Sequence, residues 1–534
     1  MCASRTSDRP RADARKRTAD ALGALALAAG LWTTANGLAA PVIPYDEGLL
    51  LTHSQALLGG AVPHRDFYSN YPPGIYLLIA GLWSLGGQTP WTLRFLGFAL
   101  HAAIALLLGR LVGRALARAF CPLTAGLVLI WLSPLQTVPY AWLAGLAAAL
   151  AAVELWLARG PQPTRLSDLG RGAAFGAIAC FRHDLFLSLA LASALLALAR
   201  RGSRVRPRGV SWLVAGAALP LAAAYGPVLS RAGLALPLQD LVVDQLRWVG
   251  PARWLPLSAF FSEASWLPAF LFDLFAAGSL LVLAGPALAA LALAAARAPG
   301  RPRPRAALAL AALSLAMLPQ LIRRADLPHA LLGVAPAVAA CALLLRASSE
   351  RLRSAPLAAT LLVAGAALVA APLRAPLSAR LAELPALPSG PAPYYGLPVR
   401  ADRQQALALV ARLTRPDEPI YVGRREHSRL TSNEVDFYYF AGRPGATRQL
   451  QFDPGSVTRA PVQREMIRQL EAKGTRLAVL STCCLREEPN ESRRSGARLL
   501  DRYLRARFAP IAGHGRYLLL WRRGAPGPER AEGS

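Results

Sequence analysis

Apolar residues along this chain gather in long runs rather than in stripes of helical or strand period. An apolar stretch follows the first 19 residues. Further runs occupy 92–109, 121–137, 140–158, 172–181, 185–199, 210–229, 271–296, 306–322, 329–345 and 356–373. Runs that are apolar on every face suit helices within a bilayer, where a crossing needs roughly 20 residues. The pattern therefore predicts a polytopic α-helical membrane protein. The first stretch admits two readings, a cleaved signal or a retained span, and the many spans behind it, which need one consistent orientation, favour retention.

Arginines punctuate every second gap. Arg110, Arg114 and Arg118 form one group; Arg159, Arg165 and Arg171 a second; Arg200, Arg201, Arg204, Arg206 and Arg208 a third. Arg297, Arg301, Arg303 and Arg305, and then Arg346, Arg351 and Arg353, continue the series. Basic loops stay in the cytoplasm, so these groups join the basic tail 1–19 on that side. Parity settles two ambiguous segments. The run "GIYLLIAGLWSLGG" at 74–87 is too short for a crossing and would put the Arg110 group outside, so it is expected in the interface. The stretch 172–199 must go out and back, which places Arg182, His183 and Asp184 at the outer tip of a hairpin. The expectation is about eleven crossings, with the amino terminus inside and the carboxyl terminus outside.

Beyond residue 373 the character changes. Residues 374–398 form a Pro-rich linker, and 399–534 mix charged and apolar residues in globular proportion. "EPIYVG", "RLAVLS" and "RYLLLWRR" have strand character, whereas "DRQQALALVARL", "VQREMIRQLEAKG" and "GARLLDRYLRARF" have helical period. A soluble extracytoplasmic α/β domain is expected there, after a membrane domain at 20–373 whose first outer loop spans 41–91.

Composition supports this reading. Of 534 residues, 54% are hydrophobic and 17% charged, too apolar for an ordinary soluble enzyme. The net charge of +28 would by itself fit nucleic acid, anionic lipid or cytoplasmic loops, and the distribution of the arginines selects loops and excludes nucleic acid. Six cysteines are scattered without the spacing of a zinc or haem site. No metal ligands or cofactor are therefore assigned, and a divalent-metal requirement stays open. The adjacent Cys483 and Cys484 admit a strained disulfide or two free thiols.

With this topology, the polar clusters embedded in apolar sequence fall on one face. They are Asp46 and Glu47; "HRDFYSNYPPG" with His64, Arg65, Asp66 and Tyr71; Arg182, His183 and Asp184; and "RRADLPH" with Arg323, Arg324, Asp326 and His329. Arg94 stands at the outer start of the second span, where it reads as a substrate group or as a headgroup anchor. Ionisable groups at membrane depth are costly unless paired or hydrated, so they tend to line a cavity or pathway. Several arginines beside them suit a lipid-linked phosphate, because the guanidinium fork matches phosphate oxygens. Each cluster alone has a plainer reading: a helix end, a turn, a structural histidine. "TSNEVDFYYFAGRP" in the outer domain reads as an acceptor contact or as core.

The stretch "YDEGLLLTHSQALLGGAVPHRDFYSNYPPGIYLL", with an acidic pair followed by L-x-G-x-x-P-x-R-D and PPG, resembles the GT-C glycosyltransferases that use polyprenyl-phosphate sugars. It is most similar to the branch containing protein O-mannosyltransferases and the lipid A aminoarabinose transferases. The resemblance covers roughly 20–373. It implies a bacterial inner-membrane enzyme that moves a sugar from a polyprenyl-phosphate donor to a glycan, lipid or protein hydroxyl, with inversion. It carries the family's catalytic carboxylate onto Asp46, with Glu47 beside it. A transporter or flippase of lipid-linked sugars is the alternative, since buried charges suit a pathway too. The absence of an evident inverted repeat and the gathering of polar groups on one face favour the enzyme.

Overall fold

In a computed structural model of the chain, the residues described are 9–115, 118, 120–157, 164–187, 189–190, 207–254, 313, 394–429, 432–453, 455–482 and 496–527. The apolar runs from 271 to 373 thus lie outside them, apart from Leu313. The chain divides into two compact units. One comprises Met1–Leu38, Arg94–Ala222 and Pro256–Ala386; the other comprises Ala39–Leu93, Ala223–Leu255 and Leu387–Ser534.

The first unit is helical. α1 (Arg9–Ala35) begins well inside the basic tail, because Arg, Lys and Ala are good helix formers and no glycine or proline interrupts 11–22. α4 (Pro90–Ala115) has 26 residues, a length of about 39 Å. α5 (Phe120–Leu132), α6 (Ala141–Leu157), α7 (Arg165–Phe181) and α8 (Pro207–Ala232) follow. The segments Pro90–Arg114 and Gly209–Ala232, with mean hydropathies of 2.0 and 1.6, are long and apolar enough to cross a bilayer.

Small residues let these helices meet. A methyl group at Gly172 of α7 would lie 2.0 Å from the Leu213 carbonyl oxygen of α8, and one at Gly216 would lie 2.1 Å from that of Leu169. Such backbone contact drives helix association where no hydrophobic difference exists between lipid and protein. Leu108, Leu132, Leu143, Leu146, Leu150 and Ile178 fill the centre of the unit. Charge inside it is paired. Arg114 of α4 and Glu154 of α6 form an ion pair, and Arg171 meets Asp168 at 2.7 Å while donating to the Leu155 carbonyl at 3.1 Å. α7 stops at Phe181, Arg182 is extended (φ −151°, ψ 107°), and helix resumes at His183, so the stretch 172–199 does break at "FRHD".

The second unit joins the first loop to the carboxyl-terminal region. α2 (Asp46–Leu58) and α3 (Gly74–Gly86) come from the loop. At 13 residues, about 20 Å, α3 is too short to cross a bilayer. Residues 235–252 are helical, with π-helical turns at Gln239–Val243 and Gln245–Val249. After 394 come α9 (Ala401–Leu413), β1 (Tyr421–Arg424), α10 (Asp436–Ala441), α11 (Ala460–Ala472), β2 (Leu477–Ser481), α12 (Leu499–Arg507), β3 (Phe508–His514) and β4 (Tyr517–Arg522).

The sheet order is β1-β2-β4-β3. β1 and β2 are parallel, with Val422 opposite Val479; β4 runs antiparallel to β2 and β3, with Leu519 opposite Val479 and Trp521 opposite Ala509. β3 lies at the edge and its register shifts between Pro510 and Ala512, as suits a proline that has no N–H to donate. Met466 and Leu470 of α11 and Leu500 and Leu504 of α12 pack with Tyr421, Ala478, Leu480 and Leu520 of the sheet. The end of the Pro-rich linker also packs, since Leu397 is buried and Tyr395 accepts a hydrogen bond from the Trp91 indole at 2.9 Å.

Candidate active site

α2 opens with Asp46 and Glu47, where the positive end of a helix favours carboxylates. Their environments differ. Glu47 is fully buried and turns back, its Oε2 accepting from the Ile43 amide at 3.1 Å, so it closes the turn that leads into the helix. Asp46 is half-buried.

This turn is fastened to α10. The Asp436 amide donates to the Pro44 carbonyl at 3.1 Å, and Thr52 Oγ1 donates to the Val435 carbonyl at 2.9 Å. The helices touch so closely that a methyl group at Gly48 would lie 2.4 Å from the Asp436 nitrogen. Asp436 pairs with the buried Arg403 at 2.8 Å. Burial raises the Asp436 carboxyl to about 7, more than Arg403 can offset, with Glu434 and Glu47 adding to the rise. Arg403 faces Asp436, Tyr517 and Glu434, which outweigh its own burial and hold it above its usual value.

Arg253 interacts electrostatically with Asp46. Its guanidinium pairs with the buried Asp453 at 3.3 Å. Burial opposes its charge, but Asp453, Tyr71, Tyr45 and Asp46 together hold it well above the ordinary arginine value. Tyr45 is raised by burial and then by Asp453, with Arg253 pulling the other way. Gln451 steadies the pair by donating to Asp453 Oδ2 at 2.5 Å and to Asn70 Oδ1 at 3.0 Å. A half-buried carboxylate, two tyrosines and a guanidinium therefore share one electrostatic neighbourhood. That arrangement can take a proton at Asp46 while presenting positive charge to an anion.

The "HRD" residues have partners of their own. His64 has φ +68° and is fully buried; its Nδ1 meets Asp240 Oδ2 at 3.0 Å. Arg448 donates to the same Asp240 oxygen at 2.5 Å and to the His64 carbonyl at 2.9 Å through Nε. His53 stacks on Phe67 with centroids 4.3 Å apart, and burial, then His64, lower it to about 3, so it stays neutral at physiological pH. Arg65 gives two hydrogen bonds to Asp66, at 3.0 and 2.8 Å, and Asp66 accepts from the Val62 amide at 2.7 Å. This ion pair closes the loop upon itself. Of the residues in "TSNEVDFYYFAGRP", read as acceptor contacts or as core, Tyr438 and Asn433 are core: the Val422 amide donates to the Tyr438 hydroxyl at 2.9 Å, and Asn433 donates to the Leu450 carbonyl at 2.8 Å.

Thus Asp46, Glu47, His64, Arg65, Asp66 and Tyr71 belong to one unit. Arg94, Arg182, His183 and Asp184 belong to the other. Arg94 is buried and donates to the Leu38 carbonyl at 2.5 Å, beyond the end of α1, which is not the placement of an exposed headgroup anchor. Arg182 grips Asp184 with two hydrogen bonds of 2.9 and 2.6 Å. Arg323, Arg324, Asp326 and His329 lie outside the described residues. Arg253, Asp453, Asp240 and Arg448 were not singled out by sequence reasoning. Arg253 had one available signal, since it follows the run 210–229, on the side where the alternation leaves few basic residues.

A polytopic helical unit combined with a mixed-sheet unit that carries the first loop defines an architecture, and it is a known one. ArnT from Cupriavidus metallidurans in the apo state aligns with a TM-score of 0.55 at 14% identity, covering 93% of this chain and 96% of that one. The same protein bound to undecaprenyl phosphate aligns with a TM-score of 0.50 at 15% identity, covering 95% and 98%. At such identities the likeness speaks for the fold, which is the polytopic membrane fold of GT-C type. No family model and no curated protein matches the sequence.

Proposed function

We propose that the protein is a membrane glycosyltransferase that moves a sugar from a polyprenyl-phosphate donor to a hydroxyl of an envelope glycan, lipid or protein. The observation that carries this reading is Arg253 lying within electrostatic reach of Asp46, Tyr45 and Tyr71, on a fold shared with ArnT, one of whose structures holds undecaprenyl phosphate. In the proposed step Asp46 takes the proton of the acceptor hydroxyl as that oxygen bonds to the anomeric carbon. The bond from this carbon to the phosphate oxygen breaks, and the polyprenyl phosphate leaves. A single displacement inverts the anomeric centre. Arg253 is assigned to the developing phosphate charge, for which a fixed, partly desolvated guanidinium is suited. Glu47 holds the turn that presents Asp46. Arg253 is preferred to Arg182 because it shares the unit and the electrostatic neighbourhood of Asp46. Eleven crossings, with the amino terminus in the cytoplasm and the sheet unit outside, complete the proposal.

The test is turnover. Purified protein in lipid nanodiscs is offered a panel of polyprenyl-phosphate sugars with lipid A, cell-wall glycan and protein acceptors. Release of polyprenyl phosphate together with a glycosylated acceptor in at least one pairing is expected. A protein that moves lipid-linked sugars across vesicles while transferring none would overturn the reading.

A further inference from the structure

The sheet unit contains a concavity that the transfer step does not use. It has a volume of about 600 Å³ and lies between α12, the sheet and the segment after β1. Four arginines, Arg425, Arg498, Arg505 and Arg523, stand around it, and its floor includes Leu480, Phe508 and Leu520.

The acidic groups at the cavity are already engaged. Asp501 accepts from the His427 amide at 3.1 Å and meets its Nδ1 at 2.6 Å, while Tyr421 and His427 Nε2 are 2.6 Å apart behind it. Glu426 accepts from Ser428 Oγ at 2.8 Å and pairs with Arg498 at 3.5 Å. Among the described residues, no carboxylate pairs with Arg425, Arg505 or Arg523. Like charges held at one concave surface repel, so the arrangement favours an anion that brings them together. Guanidinium forks match a tetrahedral oxyanion best. The apolar part of the lining adds a second demand, because a bare anion would leave the exposed Pro510 and the half-buried Leu518 facing water. The volume falls within the range of small-ligand sites.

We propose that this cavity binds an amphiphilic phosphate monoester, its phosphate held by the arginines and its apolar body laid on the floor. The site is independent of the role given to Asp46. Lipid phosphates and free phosphate share the headgroup chemistry, and the probes separate them.

The experiment uses the full chain in nanodiscs of zwitterionic lipid, with Arg253→Gln introduced so that the proposed donor site does not compete. Titration calorimetry compares hexyl phosphate, inorganic phosphate and hexanol. Hexyl phosphate should bind saturably and about tenfold or more tighter than inorganic phosphate, and hexanol should not bind. Adding Arg505→Gln and Arg523→Gln should weaken hexyl phosphate about tenfold or more, without changing the melting temperature, since both side chains are exposed. The proposal is overturned if hexyl phosphate does not saturate, if inorganic phosphate binds equally well, or if the two arginine replacements leave the affinity unchanged.

Discussion

Replacing Gly48 by alanine tests whether α2 is seated on α10 as closely as the structure has it. The new methyl carbon would lie 2.4 Å from the Asp436 nitrogen, 2.9 Å from its Cβ and 3.0 Å from its Cα. Two of these atoms are backbone, so no side-chain rotation relieves the contact, and the helices must part by more than half an ångström to reach an ordinary carbon contact of about 3.5 Å. Overpacking of this kind costs about 1–3 kcal/mol. Separation also loosens the Asp436 amide bond to Pro44 and the Thr52 hydroxyl bond to Val435. Each contributes about 0.5–1.5 kcal/mol net. Because relaxation that relieves the clash is the same movement that strains the bonds, the two effects overlap, and a total of about 2–4 kcal/mol is expected. The assay is thermal unfolding of detergent-solubilised protein followed by tryptophan fluorescence, with Thr52→Val as the milder comparison. Gly48→Ala should melt several degrees lower than Thr52→Val, which itself should melt slightly below wild type. Identical melting of all three proteins would refute the close seating of α2.

Other perturbations probe separate parts of the molecule. Asp436, raised to about 7 by burial, holds a proton in the folded chain that the unfolded chain has released between about pH 4 and 7. Stability should therefore fall as pH rises through that window and level off above it, by at most about 4 kcal/mol; urea titrations of Asp436→Asn should lose this slope. Asp240→Ala strips a buried acceptor from both His64 and Arg448, and should destabilise by about 3 kcal/mol in denaturant melts, more than Asp240→Asn does. Arg253→Gln should lower kcat of transfer about 100-fold, and because it leaves the buried Asp453 without its cation it should also lower the melting temperature. Single cysteines beside Arg182 and Arg201 should react with an impermeant thiol reagent from opposite sides of the membrane; labelling from the same side would contradict the out-and-back path of 172–199.

The sequence disclosed what depends on near neighbours. Runs of apolar residues mark α4, α5 and α6 because a lipid-facing helix needs no polar face, and β1, β2 and β4 stand out as short β-branched or leucine-rich segments bounded by turn residues. β3 was harder to see, since "FAPIAGH" contains a proline and a glycine and is an edge strand held by pairing with β4. The start of α1 was obscured because charge marks a loop for topology yet does not stop a helix. At the site, Asp46 was legible through its motif, whereas its surroundings were not. Arg253 and Asp453 meet across 200 positions, and His64, Asp240 and Arg448 close a network of similar reach. The same long-range closure joins His64 to Asp240, whereas Arg65 pairs with its sequence neighbour Asp66. The first loop likewise gave no local sign that it would share a unit with the carboxyl-terminal sheet.

In the proposed transfer, Asp46 removes the acceptor proton. The direct measurement is single-turnover sugar transfer by wild type and Asp46→Asn, with the matched donor and acceptor and with donor binding recorded separately. The account predicts that Asp46→Asn binds donor with nearly unchanged affinity and transfers at least about 100-fold more slowly across the pH range. Equal transfer rates in the two proteins would contradict it.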